Sequence, residues 1–467
     1  MIQGRIILKG KIELKSPLLI GSGEDNSTDM DVLVDENGQP YIPATSFFGI
    51  LRHHLSDGNY KFSLKEKDAL EDIFGFSEEE KSKGSSFICS DLFLDVPENK
   101  IVVRDGIKIN NKTGIVEKGA KFDYQVIEKG ARFNLNIEAE YTDNGSKETV
   151  KKLLLTIKDS LTVGDIRIGA KTNNGLGKIT LLDDYKIFDY DFSDIDNVIA
   201  WLLTNDITPL VIKETDKGFL PSKNVFLIDA YFKLKTSLIQ RSYTDEPSAP
   251  DSVHIQSKGE NVLTGSGTKG AIRARAVRIL NTLNENDEAR TREIIDELFG
   301  AVKKSKNSSD NDGDSSKNKK GNLLIEENKI SAVVAAIQSR IKIDRFTGGT
   351  IKAALFDSMP LFSDSEEINL NDKAIRITME IKKYEDYEAG LMLLILKDIW
   401  TGDLAIGGEK GIGRGVFEGM SADITGKDIS LTITNDNLQL EQLQKKYVDC
   451  LINKTAANPV EVENESK

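Results

Sequence analysis

Residues 17–52 read PLLIGSGEDNSTDMDVLVDENGQPYIPATSFFGILR, and residues 237–273 read SLIQRSYTDEPSAPDSVHIQSKGENVLTGSGTKGAIR. The second stretch is an imperfect copy of the first. Each starts at an apolar strand end and passes through a polar loop that contains an aspartate. Each then makes a short extended run and a tight turn, and enters a segment with glycine and arginine three apart, Gly49 with Arg52 and Gly270 with Arg273. Asp29 and Asp251 occupy matching places. Self-similarity at a fixed offset is the strongest single pointer to architecture in a long chain.

Working outward from the first copy, residues 5–20 alternate well enough for a strand, with Ile6, Leu8, Ile12 and Leu14 largely on one face. After the loop, Glu36-Asn37-Gly38 signals a turn. A helix then follows Pro43, with Thr45 or Ser46 as its N-cap and Phe48, Leu51 and Leu55 on its core face. Strands resume over 86–96 and 100–103. Residues 104–133 are polar, basic and punctuated by glycine, which reads as a projecting hairpin. Another alternating strand covers 134–141, and an amphipathic helix over 147–161 presents Val150, Leu153, Leu154, Ile157 and Leu161. The module closes on GDIRIGAKTNNGLGKITL, a glycine-rich loop and a strand.

Strand, helix, strands, helix, strand is the order of a ferredoxin-like fold, also that of the RNA-recognition motif, although the aromatic signature of the latter is missing. The second module repeats the order. The Phe74-Gly75 pair returns at Phe299-Gly300, Phe122-Asp123 at Phe356-Asp357, and Thr113-Gly114 at Thr347-Gly348. Gly175-Leu176-Gly177-Lys178 is matched by letter to Gly411-Ile412-Gly413-Arg414. The expected fold class is therefore α+β: two tandem ferredoxin-like modules, each with a hairpin and a glycine-rich loop. The expected division is 1–185 for the first module, 186–223 for a connector with a short helix over 195–203, and 224–430 for the second module. Within the latter, 302–321 has no apolar residue in its central run and reads as a disordered insertion. Residues 431–467 read as a C-terminal helix followed by an acidic tail.

Composition narrows the function. The chain has 467 residues, 39% apolar and 29% charged, with a net charge of −13. That length accommodates two or three domains with their own cores. No run approaches a membrane span, and the alternating N-terminus lacks a signal-peptide core, so a cytoplasmic location is expected. Two cysteines and three histidines supply neither a disulfide framework nor a zinc cluster. The acidic bulk argues against a generally basic nucleic-acid binder but leaves room for local basic stripes along one polyanion groove.

Three recurring elements lie outside the expected cores. Glycines followed by a cation let backbone N–H groups approach phosphates, which nominates Lys171 and Lys178 in the first loop and Lys410 and Arg414 in the second. The pattern is not a Walker A loop. The helix starts, Ser46 with Arg52 and Ser266 with Lys269 and Arg273, suit anions, although capping alone would explain the serines. The loop aspartates come third. A carboxylate beside an RNA backbone can deprotonate a 2′-hydroxyl or hold Mg²⁺ (or another divalent cation) at the scissile phosphate. Asp31 and Asp35 compete with Asp29 in the first copy, but only Asp29 has a counterpart in the second. His53 and His54 have none, since Ala274 and Arg275 stand there.

These features resemble the RAMP superfamily of CRISPR-associated proteins, and within it the backbone subunits of type III (Csm/Cmr-like) effector complexes. The matching pieces are the loop aspartate followed by VLVDENGQPYIP, the Ser46-Gly49-Arg52 helix start, the Phe-Gly pair, and the GAKFD and GLGK segments, over about 5–180 and 225–420. Two modules in one chain are similar to the tandem subunits of type III-D-like systems. The resemblance implies RRM-like cores that line up along a CRISPR RNA beside large, small and other backbone subunits. It implies thumbs, including Lys108 and Lys112 in the first and Lys342 and Arg345 in the second, that interrupt the guide–target duplex and displace a nucleotide. It also implies metal-dependent cleavage of target RNA at Asp29 and Asp251, which would be both catalytic residues and metal ligands. The second copy departs from the pattern: Val262-Leu263-Thr264 replaces Tyr41-Ile42-Pro43, and Pro247 and Pro250 precede Asp251. A purely structural CRISPR RNA-binding subunit, or an endoribonuclease that processes CRISPR transcripts, are the alternative readings.

Overall fold

The computed structural model describes all residues except 1, 24–26, 57–59, 78–81, 98–100, 111–112, 222–223, 243–248, 302–318, 365–374, 436–442 and 457–467. The chain separates into two compact units. One comprises Met1–Lys108, Val116–Thr172 and Leu176–Lys223; the other comprises Ile109–Ile115, Asn173–Gly175 and Asn224–Lys467.

In the first unit the central strand is β1 (Gly4–Leu14). Its Ile6, Leu8, Ile12 and Leu14 are buried in the main core, as the alternation requires. Ile7 on the opposite face is buried too, against Phe188 and Tyr190. A strand with apolar residues on both faces must be central, because each face needs its own cover. The helices in order are α1 (Ala44–Ser56), α2 (Leu64–Phe74), α3 (Asn144–Val163) and α4 (Ile195–Leu202). The unit's other strands of three or more residues are β2 (Phe87–Cys89), β3 (Ile101–Ile109), β4 (Val116–Ile127), β5 (Arg132–Tyr141), β6 (Ile179–Leu181) and β7 (Lys186–Asp191). The sheet order is β7-β1-β5-β2, with β6 also on β1, while β3 and β4 form a separate two-stranded hairpin. Of the strands flanking β1, β5 precedes the second crossover helix α3, and β6 and β7 follow it, which is the ferredoxin-like arrangement.

Two expectations shift here. Residues 186–191 belong to the first sheet, not to a connector: β7 pairs with β1 from Gly4 to Lys9 and contributes Phe188 and Tyr190 to the second face. And α1 starts at Ala44, so neither Thr45 nor Ser46 is its cap. The orphan N–H of Ala44 is satisfied by the Asp91 carboxylate at 2.7 Å, from a residue far along the chain. Its buried residues are Phe47, Leu51 and Leu55, with Phe48 packed partly buried against Phe74 and Phe87.

The second unit repeats the plan. Its sheet and hairpin strands are β8 (Val225–Leu234), β9 (Leu323–Ile325), β10 (Gln338–Ile343), β11 (Thr350–Met359), β12 (Ile375–Lys382), β13 (Phe417–Thr425) and β14 (Ser430–Thr434), besides several shorter pairings. The sheet order is β9-β12-β8-β13-β14. Helices α5 (Gly265–Leu283), α6 (Glu288–Phe299) and α7 (Asp386–Trp400) stand where α1, α2 and α3 do. Antiparallel β10 and β11 make the second hairpin. The repeated Phe-Gly pair ends α2 and α6, and Gly75 and Gly300 take φ of 74° and 85°, which glycine adopts without a Cβ penalty.

The insertion expected over 302–321 lies outside the described residues up to 318; Lys319–Lys320 form a short strand against Gly300–Ala301. The C-terminal segment is part of the second core. A π-helical turn (Gln444–Val448) and α8 (Asp449–Thr455) bury Leu443, Tyr447 and Leu451. Gly390 on α7 lets them approach, since a Cβ there would sit 2.2 Å from the Tyr447 carbonyl oxygen. The expected acidic tail over 457–467 lies outside the described residues. Among the described residues no helix is long and apolar enough to cross a membrane.

Candidate nucleic-acid interface

The loop before α1 is built from short polar residues, which on their own favour turns and leave the backbone free. Asp31 closes it: its carboxylate accepts hydrogen bonds from Ser27 N (2.9 Å), Ser27 Oγ (2.9 Å), Thr28 N (3.0 Å) and Thr28 Oγ1 (2.8 Å). The Ser27 N–H leads the bonds that hold this carboxyl down at about 2. Asp31 is thus the loop-shaping aspartate. Asp29, by contrast, is exposed. The strand at the hairpin base grips the loop from outside. Gln125 Oε1 accepts from Val32 N at 3.0 Å, while Gln125 Nε2 donates to Ser27 Oγ at 2.7 Å. One pleat along, Asp123 N–H donates to Asp29 Oδ2 at 2.9 Å, and Asp29 N–H donates to Asp123 Oδ1 at 3.0 Å.

The second unit repeats part of this. Asp357 N–H donates to Asp251 Oδ2 at 2.9 Å, and Asp251 is again exposed. Here the loop is held by main chain: Ser252–His254 runs parallel to β11, with Ser252 opposite Ser358. Asp357 Oδ1 is left shielded from solvent without a hydrogen-bond partner among the described residues. His254 is buried, accepting at Nδ1 from Gln240 N (3.2 Å) and placing Nε2 2.9 Å from the Val262 carbonyl, and burial pushes it down to about 4. It is a neutral framework histidine.

The glycine-rich loops superpose differently from their letters. Gly177 N–H donates to the Pro17 carbonyl and its own carbonyl accepts from Ile168 N; Gly415 makes the same pair with Ser237 and Ile406. Their φ values are 74° and 78°, and a Cβ on either would lie 1.9 or 2.0 Å from the Ile168 or Ile406 oxygen. Gly177 therefore corresponds to Gly415, Lys178 to Val416, and Leu176 to Arg414. A cation does not recur at one place in both loops. What recurs is a left-handed residue, Lys171 at φ 55° and Glu409 at φ 56°, that fastens the loop to the hairpin base. Lys171 Nζ lies 4.4 Å from the Phe122 ring centroid and 3.5 Å from that of Tyr124, on the strand face opposite Asp123. Burial lowers its ammonium to about 8. Glu409 instead binds Arg340 Nη1 (2.8 Å), Arg414 Nε (2.9 Å) and Arg241.

Two nominated RNA contacts are corrected by this geometry. Arg414 is only 2% exposed; besides Glu409 it donates to Gln338 Oε1 at 2.7 Å and Ser358 Oγ at 3.3 Å. Lys269 is 7% exposed and its Nζ donates to the Leu323 carbonyl at 2.6 Å. Burial, with Arg273 and Lys320 nearby, lowers it to about 8. Both cations are spent on the protein itself. The helix caps also differ from expectation: Thr264, not Ser266, caps α5, its Oγ1 accepting from Gly267 N at 3.3 Å. Ser46 and Ser266 are left exposed in the first turns of their helices, and Arg52 is exposed further along α1.

On the hairpins, Lys108 is exposed but paired with Glu117 at 2.6 Å, and Lys342 and Arg345 are exposed. Lys112 lies outside the described residues. Lys410 is exposed, whereas Lys178 and Arg273 are half-buried. The hairpins also expose apolar side chains: Ile107, Ile109 and Ile115 in the first, and Ile341, Ile343 and Phe346 in the second. His54 is turned away, its Nε2 3.1 Å from Tyr60 Oη. Asp123, Gln125 and Asp357 were not nominated from sequence, although the repeated Phe-Asp pair was visible.

The structure is thus a duplication: two ferredoxin-like α+β modules, each with a basic, apolar-tipped hairpin and an exposed loop aspartate at its base. The chain matches the RAMP superfamily over residues 11–180 and 207–418, and it belongs to that family of CRISPR-associated RNA-binding proteins. No curated protein matches it.

Proposed function

We propose that the chain is a backbone subunit of a type III CRISPR effector complex that grips CRISPR RNA and cleaves target RNA at Asp29 and Asp251. The observation that carries the reading is the recurrence of an exposed loop aspartate whose carboxylate accepts the N–H of an aspartate on the hairpin-base strand. A turn-forming aspartate would do what Asp31 does, with its oxygens consumed locally.

Exposed Arg52, Lys342, Arg345 and Lys410 suit phosphates, and the free hydroxyls of Ser46 and Ser266 suit phosphate or sugar oxygens. The hairpins carry apolar residues where a base pair would have to open, so that each can wedge a nucleotide out of the guide–target stack. Splaying lets the 2′-oxygen line up behind its own phosphorus, which continuous A-form geometry disfavours. Asp29 or Asp251 then accepts the 2′-hydroxyl proton as the 2′-oxygen attacks phosphorus, the P–O5′ bond breaks, and O5′ takes a proton from water.

Mg²⁺ fits this setting. It binds through one or two carboxylates and completes its shell with water and phosphate oxygens. Asp29 and Asp251 each offer an exposed carboxylate, and beside Asp251 the Asp357 Oδ1 has no hydrogen-bond partner among the described residues. Among the described residues no group of three or more potential ligands forms a protein-only cage. When bound, the ion would neutralise charge building on the phosphate.

The test uses the assembled complex and labelled target RNA carrying a single 2′-deoxy nucleotide at the displaced position. The expected result is loss of that cut alone, with target affinity unchanged, and loss of all cuts in EDTA. Cleavage that persists at the 2′-deoxy position refutes the mechanism.

A further inference from the structure

We propose that Asp123 is the positioning residue for Asp29, an inference that rests on the cleavage reading above. The main chain holds the first loop at Met30, whose carbonyl accepts the Gln125 N–H at 3.0 Å, but that bond leaves the Asp29 N–H and carboxylate without partners of their own. Asp123 supplies both at once: its carboxylate receives the Asp29 N–H, and its N–H meets the Asp29 carboxylate. The first bond fixes the backbone from which the side chain springs, and the second fixes the side chain's rotation. Asp29 Oδ1 is then the oxygen left available, with no partner among the described residues.

The second unit shows why the side-chain half of this device belongs to the first. There the backbone beside Asp251 is held by parallel pairing of Ser252–His254 with β11. Only the main-chain half of the clasp remains, Asp357 N–H to Asp251 Oδ2, and Asp357 Oδ1 has no hydrogen-bond partner among the described residues. A carboxylate acceptor at position 123 adds to the single main-chain bond at Met30 what the strand pairing of Ser252–His254 gives the second loop. Gln125 holds the same loop one pleat away, at Val32 and Ser27, so loss of Asp123 frees Asp29 without releasing the whole segment.

The experiment compares Asp29→Ala, Asp123→Ala and Asp123→Asn in the assembled complex, timing both cuts and measuring target affinity. Misplacing a catalytic group by about 1 Å costs roughly 10²-fold, so Asp123→Ala should slow the Asp29-dependent cut by about that factor. The Asp251-dependent cut and the affinity stay at wild-type values. Asp123→Asn keeps an oxygen for the Asp29 N–H and gives up only the charge assistance of that bond, so it should recover to within about 10-fold of wild type. An Asp123→Ala enzyme as fast as wild type overturns the proposal. So does Asp123→Asn as inactive as Asp29→Ala, because the charge would then be what matters. Equal slowing of both cuts, or weakened target binding, overturns it in favour of damaged folding. If Asp29→Ala itself leaves every cut in place, the cleavage reading falls first, a result none of the Asp123 outcomes can mimic.

Discussion

Glu409→Ala should destabilise the second unit far more than an exposed glutamate would. Glu409 is the left-handed residue of its glycine-rich loop, and its side chain is 9% exposed. It is the counter-charge for Arg414, itself 2% exposed, and also for Arg340 and Arg241. Arg241 is half-exposed and Arg340 partly so, and such pairs contribute little. The cost therefore rests on Arg414, left as an uncompensated buried cation, for which about 3–5 kcal/mol is typical. Taking the lower end, and about 2–4 °C per kcal/mol for a unit of this size, the melting temperature should fall by about 6–12 °C. Burial works to raise the Glu409 carboxyl, and Arg241, Arg414 and Arg340 outweigh it, holding it below the ordinary value. Its contribution is therefore present above the unfolded-state carboxyl value and fades as pH falls through the lowered one, so wild type and variant should converge in acid. Calorimetric melts at pH 7 and at a series of pH values falling below 4.5 read both effects. Glu409→Ala/Arg414→Leu removes the stranded charge with its partner and should recover most of the loss. A melt within about 2 °C of wild type for Glu409→Ala would refute the reasoning, given the buried-pair magnitude.

Three further outcomes follow from other groups in the structure. His254 is held neutral by burial, from an ordinary 6.5 down to about 4; its contribution is complete above pH 6.5 and is lost as pH falls towards 4. Over that window the urea midpoint of wild type should drop more than that of His254→Gln, by an amount equivalent to about 3 kcal/mol at 1.36 kcal/mol per unit. Lys269→Met should leave the salt dependence of RNA binding unchanged, because its ammonium is bound to the Leu323 carbonyl. Lys342→Ala on the exposed hairpin should instead reduce the salt slope by about 1.

Much of the fold was legible because apolar periodicity survives in both copies. Ile6, Leu8, Ile12 and Leu14 on β1, and Val150, Leu153, Leu154, Ile157 and Leu161 on α3, are buried as their spacing requires. What was not legible depends on contacts between distant segments. The cap of α1 is Asp91, 47 residues from the N–H it serves, so local cap signals at Thr45 and Ser46 pointed two or three residues too late. The glycine-rich loops were aligned on glycine followed by a cation. Their equivalence is instead fixed by positive φ and by bonds to the Pro17 and Ser237 carbonyls, which letters do not encode. Arg414 and Lys269 looked like phosphate ligands because sequence carries charge but not the direction a side chain turns. Asp123 was seen as half of a repeated pair, but its role needs a partner 94 residues away.

The most direct measurement is a map of every cut made by the assembled complex in labelled target RNA with Mg²⁺, for wild type, Asp29→Ala and Asp251→Ala. The account predicts that each substitution erases one cut and leaves the other, with target binding intact. Cuts that survive both substitutions would contradict it and leave this chain as the holder of RNA that another subunit cleaves.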